Sequence, residues 1–130
     1  MPYLRVRIAT PETTVTAQQV AQQLTALAVT ELKKDESAVA VDVRFTDPAN
    51  WFVGGQLLTA TGATSFYVEI KITAATNTRD QKAAFVRETF TSFQTLFGHL
   101  APTSYVVLHD VAGDAWGYGG QTQEYRYIKG

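Results

Sequence analysis

Apolar and polar residues alternate strictly at the start of the chain: Leu4, Val6 and Ile8 fall on one face, Tyr3, Arg5 and Arg7 on the other. A period of two is the mark of a β-strand. Phe66, Val68, Ile70 and Ile72 repeat the pattern, with Tyr67, Glu69 and Lys71 opposite. After the first strand Val20, Leu24 and Leu27 form a helical stripe. That helix is expected to start at Thr14 or Thr16, either of which can cap it, and to run to about Lys33. After the second strand Thr78 is a helix cap, and Ala83, Val86, Phe90, Phe93 and Phe97 fall at helical spacing. Further strands are predicted at about 38–45 and 104–110.

Strand, helix and strand therefore occur twice, and each copy ends alike: Trp51-Phe52-Val53-Gly54-Gly55 and Trp116-Gly117-Tyr118-Gly119-Gly120. An offset of 66 carries Leu4 to Ile70 and Val20 to Val86; an offset of 65 carries Val41 to Val106 and Trp51 to Trp116. The one-residue change is expected in the connection from helix to second strand. The reading is a single domain, 1–130, of two pseudo-repeats (about 2–56 and 66–121) and a short C-terminal arm. Each repeat is a βαβ unit with parallel strands and a right-handed crossover. Two units make an α+β fold: a tandem βαβ repeat with a four-stranded mixed sheet and both helices on one face. The other face carries Tyr3, Arg5, Arg7, Asp42, Arg44, Tyr67, Glu69, Lys71, Tyr105, Val107 and His109, a set too aromatic and too pairable in charge to stay bare. Other subunits of a cyclic assembly are expected to cover it.

Composition narrows the chemistry. At 45% hydrophobic and 18% charged residues the chain folds, and a net charge of −1 gives no electrostatic case for nucleic acid or an anionic membrane. There is no cysteine, which excludes disulfides and thiolate chemistry, and the two histidines exclude a His-rich metal cage. No apolar run is long enough for a membrane span, so a cytoplasmic protein without metal or cofactor is the expectation. His109 and Asp110 are neighbours on a strand and point to opposite faces, which reads His109 as an interior histidine. The tail from Gln123 to Ile128 fits either a final strand or an arm.

Met1-Pro2 leading directly into an alternating strand, the βαβ repeat and the aromatic-Gly-x-Gly-Gly ending resemble the tautomerase superfamily. That superfamily groups 4-oxalocrotonate tautomerase, 5-(carboxymethyl)-2-hydroxymuconate isomerase and macrophage migration inhibitory factor. The second copy resembles 4-oxalocrotonate tautomerase most, through Thr78-Arg79-Asp80-Gln81-Lys82 and Trp116 to Gly120. A duplicated chain resembles the longer, fused members, which implies a homotrimer. The resemblance implies an isomerase acting on a small enolisable carboxylate, with the amine of Pro2, freed by loss of Met1, as general base. An α-amino group titrates near 7.7–8.0 in peptides, and burial or nearby cations lower that, poising it for proton abstraction beside a carbonyl.

The departures from the family pattern are specific. The loop after the first strand, where the family carries a carboxylate-binding arginine, reads Thr10-Pro11-Glu12-Thr13 and has no cation. Arg79, close to the matching place in the second copy, is the substitute; it also reads as an exposed first-turn charge. The family's second arginine has Ala40 and Tyr105 in its register, and Arg44, on the face of Ala40, is the other substrate-binding candidate or the partner of Asp42 or Glu69. Trp116 stands where the family walls its pocket with an aromatic ring. Trp51 reads as structural, and the glycine pairs as turns that begin a short strand docking on a neighbour. The alternatives are a catalytically inactive trimeric binding or structural protein, or a dehalogenase or decarboxylase variant of the same family.

Overall fold

The computed structural model describes residues 2–129. Strand β1 (Tyr3–Ala9), helix α1 (Ala17–Leu32) and strand β2 (Ala40–Phe45) form a first βαβ unit, followed by a hairpin of β3 (Phe52–Val53) and β4 (Gln56–Leu57). Strand β5 (Ser65–Thr73), helix α2 (Arg79–Phe97) and strand β6 (Tyr105–Val111) form the second, followed by a hairpin of β7 (Gly117–Tyr118) and β8 (Gln121–Thr122). A short helix, α3 (Gln123–Lys129), ends the described chain, so the tail is neither strand nor extended arm.

The sheet order is β2-β1-β5-β6, with β1 parallel to β2, β5 parallel to β6, and β1 antiparallel to β5. It is therefore the expected mixed sheet, with the two units meeting head to tail along the β1–β5 seam. Leu4, Val6, Ile8, Phe66, Val68, Ile70 and Ile72 face the helices and are fully buried. Each such side chain contributes about 1.5–3 kcal/mol by leaving water. The helices meet them with Val20, Leu24, Leu32, Phe85 and Phe93, and the Phe66 and Phe93 rings lie 4.4 Å apart.

Both helices begin with the same device. Thr16 and Thr78 accept hydrogen bonds from the backbone N–H of Gln19 (3.2 Å) and Gln81 (3.1 Å), and each glutamine accepts in return from the cap's own N–H. These reciprocal bonds satisfy donors that a helix start leaves orphaned. Helix α1 ends on Lys33 in the left-handed region (φ 58), and α2 ends on Gly98.

The register corrects two expectations. The stripe on α2 is Phe85, Thr89 and Phe93, and Val86 is 39% exposed, so Val86 is not the counterpart of the buried Val20. Tyr3 pairs with Ala40 and Tyr67 with Tyr105. If the outer strands correspond at an offset of 65, the inner strands correspond at 64, not 66. Sliding a strand by two residues preserves its alternation, so hydrophobicity alone cannot choose between these registers. The copies differ in the strand-to-helix connection, residues 10–15 against the shorter 74–77, and in the helix, 16 residues against 19, and not after the helix.

That shorter connection joins the end of α1 to the start of α2. Asn77 Nδ2 donates to the Leu32 carbonyl (2.9 Å), and Lys34 Nζ donates to Thr76 Oγ1 (3.0 Å). A lysine just past α1 is thereby fixed at the end of the sheet where β5 finishes. No helix among the described residues is long and apolar enough to cross a membrane.

Candidate active site

Pro2 immediately precedes β1, is buried, and accepts a hydrogen bond from the Ala40 N–H at 3.3 Å. Tyr3 pairs with Lys71 across the antiparallel seam, so Pro2 comes beside Ile72, one residue from the end of β5. The fate of Met1, on which the basicity of the Pro2 nitrogen depends, lies outside the described residues.

The end of β5 gathers the other groups. Trp116 is half-buried and its Nε1 donates to Thr73 Oγ1 at 3.2 Å. Its carbonyl accepts from Gln123 N–H (3.0 Å), which ties the ring's backbone to the start of α3. Lys34 reaches the same place through Thr76, whose hydroxyl donates to the Thr73 carbonyl at 2.6 Å. Beside them opens a cavity of about 720 Å³ lined by Lys34, Thr73, Thr76, Tyr118, Glu124 and Arg126, among others; neither Pro2 nor Trp116 is part of its wall. Burial holds the Lys34 ammonium below the ordinary lysine range, opposed in part by the Asp110 carboxylate. Asp110 is itself engaged by Lys82, Nζ to Oδ2 at 2.5 Å. Lys34 is thus a partly desolvated cation with no ion pair within 4.0 Å among the described residues, a place where an anion is welcome.

The two arginines named from the sequence stand apart from this cluster in different ways. Arg79, the first residue of α2, is at the same end of the sheet but exposed, and makes no hydrogen bond or ion pair among the described residues. Arg44 pairs in register with Arg7, five residues from Pro2 along β1, or roughly 16 Å at the rise of a strand. It pairs with Asp42 (Nε to Oδ1, 3.7 Å) while remaining 69% exposed, so within one chain Pro2 and Arg44 are not brought together. His109 is not interior: it lies on the open face of the sheet, its Nε2 3.8 Å from Glu69 Oε2.

The glycine pairs do form turns, and they turn the chain back on itself. Gly54 and Gly55 (φ 59 and 77) close β3 onto β4, and Gly119 and Gly120 (φ 62 and 79) close β7 onto β8. Positive φ at both central residues is the two-residue hairpin turn that matches strand twist. Each hairpin is fastened to its tryptophan by the same bond, Leu58 N–H to the Trp51 carbonyl (2.9 Å) and Gln123 N–H to the Trp116 carbonyl. Trp51 packs on a small apolar cluster of Ala9, Leu58, Ala63 and Ala101 at the opposite end of the sheet. The cavity there, about 420 Å³, is lined by Val53, Leu57, Leu58, His99 and Pro102 among others, and no lysine or arginine lines it.

Lys34 and Arg126 were not singled out from the sequence. Lys34 is one of two consecutive lysines behind a helix, and its hydrogen-bond partner Thr76 is 42 positions away. The one sequence signal was its position, just past the helix that precedes the second strand.

Residues 67–125 match the tautomerase enzyme family model. No curated protein matches the sequence. Among solved structures, a fused 4-OT in a symmetric trimer superposes with a TM-score of 0.80 at 20% identity, covering 94% of this chain and 96% of that one. Pt0534, inactivated by 2-oxo-3-pentynoate, gives 0.82 at 14% identity, covering 95% and 98%. The macrophage migration inhibitory factor-like protein of Entamoeba histolytica gives 0.74 at 16%, covering 93% and 97%. The second unit thus matches the tautomerase enzyme family model, and nearly the whole chain shares the fold of the fused 4-OT structures.

Proposed function

We propose that this protein is a cofactor-independent isomerase that moves a proton between carbon and oxygen, or along a conjugated system, in a small enolisable carboxylate. Pro2, freed by removal of Met1, takes the proton. Trp116, bonded to Thr73 of the cavity wall, excludes water from this end of the sheet, which disfavours the ammonium form of the proline. Lys34 holds the substrate carboxylate, with Arg79 at the rim. Arg44 enters only if a neighbouring subunit presents it, and the homotrimer we infer, by analogy with the fused 4-OT trimer, is the assembly in which that occurs.

One observation carries this reading: a buried proline at the start of β1 shares its end of the sheet with Trp116, an unpaired half-buried cation and a cavity of about 720 Å³. Burial weakens the ammonium form, and a base poised near neutrality contributes typically 10²–10⁴-fold to proton transfer. The exposure of Arg79 and the distance of Arg44 favour a second reading, a trimeric binding protein that keeps the architecture without turnover. A dehalogenase or decarboxylase that uses the proline as an acid is a further variant.

The test is ketonisation of phenylenolpyruvate by the wild type and by Pro2→Ala, each with its N-terminus defined by intact mass. Wild-type protein lacking Met1 is expected to exceed Pro2→Ala by about 10²-fold in kcat/KM. 2-Oxo-3-pentynoate is expected to add to the N-terminal peptide of the wild type only. Equal rates, or retention of Met1 in the active protein, overturn the assignment of the base.

A further inference from the structure

The two cavities, at opposite ends of the sheet, are internal counterparts. The outer strands, the helix ends and the hairpins correspond at an offset of 65, so Lys34 answers to His99, Tyr118 to Val53 and Arg126 to Thr61. The inner strands correspond at 64, which puts Phe66 in the place of Pro2. Leu58 and Gln123 fit the same match, since each donates its N–H to the carbonyl of its own tryptophan. The fixed charges are gone from the far cavity: no lysine, arginine, aspartate or glutamate lines it. Where Arg126 lies over the Tyr118 ring, Thr61 turns its hydroxyl back into its own loop. That hydroxyl donates to the Leu58 carbonyl (2.7 Å) and accepts from the Ala63 N–H (3.1 Å). Val53, Leu57, Leu58, Ala63 and Ala101 make the wall apolar, and the His99 side chain there has no hydrogen-bond partner among the described residues. About 420 Å³ of mostly apolar space with a single placed polar group is the usual form of a small-molecule site.

We propose that the far cavity is a second binding site, which takes a small, uncharged and largely apolar molecule and gives it one hydrogen bond from His99. The choice of occupant follows from charge. A carboxylate placed against this wall would lose water without gaining a lysine or arginine, whereas the counterpart cavity offers Lys34. An uncharged ring loses little water there and covers Leu57 and Leu58. With the buried Phe66 standing where Pro2 stands in the other unit, no amine serves this end, so the site holds its ligand without turning it over. The inference goes beyond the isomerase reading and does not rest on it.

The probes are 2-naphthol and 2-naphthoate, alike in ring system and different in charge, titrated at pH 8 into the full chain and followed by backbone amide NMR shifts. The wild type is expected to bind 2-naphthol saturably and at least about tenfold more tightly than 2-naphthoate, because the carboxylate would be desolvated without a partner. The shifts are expected at Val53, Leu58 and Ala101, and not at Thr73, Thr76 or Tyr118. Leu57→Trp, at a partly exposed position where the larger ring occupies the space, is expected to weaken 2-naphthol at least about tenfold with the urea midpoint unchanged. His99→Lys, which supplies the cation of the counterpart cavity, is expected to raise 2-naphthoate affinity about threefold or more. Equal affinity for the two probes, or shifts confined to the Lys34 cavity, overturns the proposal. So does the absence of saturable binding, the result expected if a neighbouring chain of the assembly fills the cavity. A 2-naphthol site at Leu58 in a protein without phenylenolpyruvate activity would leave this proposal standing and refute only the isomerase.

Discussion

Lys34 carries a pH signature set by its burial. Its folded pKa is lowered, first by burial and against the pull of Asp110. Between that lowered value and the ordinary lysine value the unfolded chain holds more protons than the folded one, so stability rises with pH through that window. Lys34→Met removes the buried charge and is expected to raise the urea midpoint at neutral pH and to flatten that rise. Anion binding runs the other way. Carboxylate affinity should fall as pH rises through the lowered pKa, and Lys34→Arg, which stays charged, should carry binding of 3-phenylpropanoate to higher pH. None of this could be read from the residue's own neighbourhood in sequence. Pro2 and Trp116 could be named as candidates because each belongs to a recognisable pattern, whereas the placing of Lys34 and Arg126 is decided by contacts with Thr76 and Tyr118.

The two hairpins and the helix ends offer sharper tests of how local chemistry sets shape. Gly117 cannot take a side chain: a Cβ there would lie 1.9 Å from the Gln121 carbonyl oxygen. Gly117→Ala is expected to cost about 2–3 kcal/mol in urea unfolding, and to loosen both Trp116 and α3 because the hairpin joins them. Phe52 stands at the matching place in the first hairpin, so that turn alone tolerates a bulky residue. At the end of α1, Lys33 adopts a left-handed conformation that glycine takes without strain. Lys33→Gly should stabilise the chain by about 0.5–1 kcal/mol, read from the same urea transitions. Elements of this kind were legible because their signals are local: a strict alternation, a threonine before a stripe, two glycines in a row. The α2 stripe and the strand register were not, since Phe90 and Phe97 look as core-like as Phe85 until packing chooses among them, and a shift of two residues leaves a strand's pattern intact.

The molecule as a whole leaves the second face of its sheet open. Arg5, Arg7, Arg44 and Lys71 lie there with Asp42 and Glu69, and Tyr105 is 62% exposed. Glu69 is the centre of that set: it pairs across the seam with Arg5, accepts from the Tyr67 hydroxyl at 3.4 Å and lies 3.8 Å from His109. If the homotrimer forms through this face, Glu69→Lys replaces an attraction with repulsion in every subunit. Sedimentation velocity is expected to show three-chain wild-type particles and smaller ones for the variant at low salt, with partial recovery as salt screens the charges. A wild-type protein that sediments as one chain would refute the trimer.

The head-to-tail seam between β1 and β5 also bears on how such a protein can change over generations. In an assembly of identical single units, every substitution appears at both ends of each sheet, and a change that suits one end is forced on the other. Here the end near Pro2 is furnished by Lys34, Trp116 and Arg126, and the far end by Leu57, Trp51 and His99, all encoded independently. Joining the units in one chain therefore releases the far, apolar mouth from whatever the Pro2 end requires, and it is free to drift or to acquire a binding task of its own.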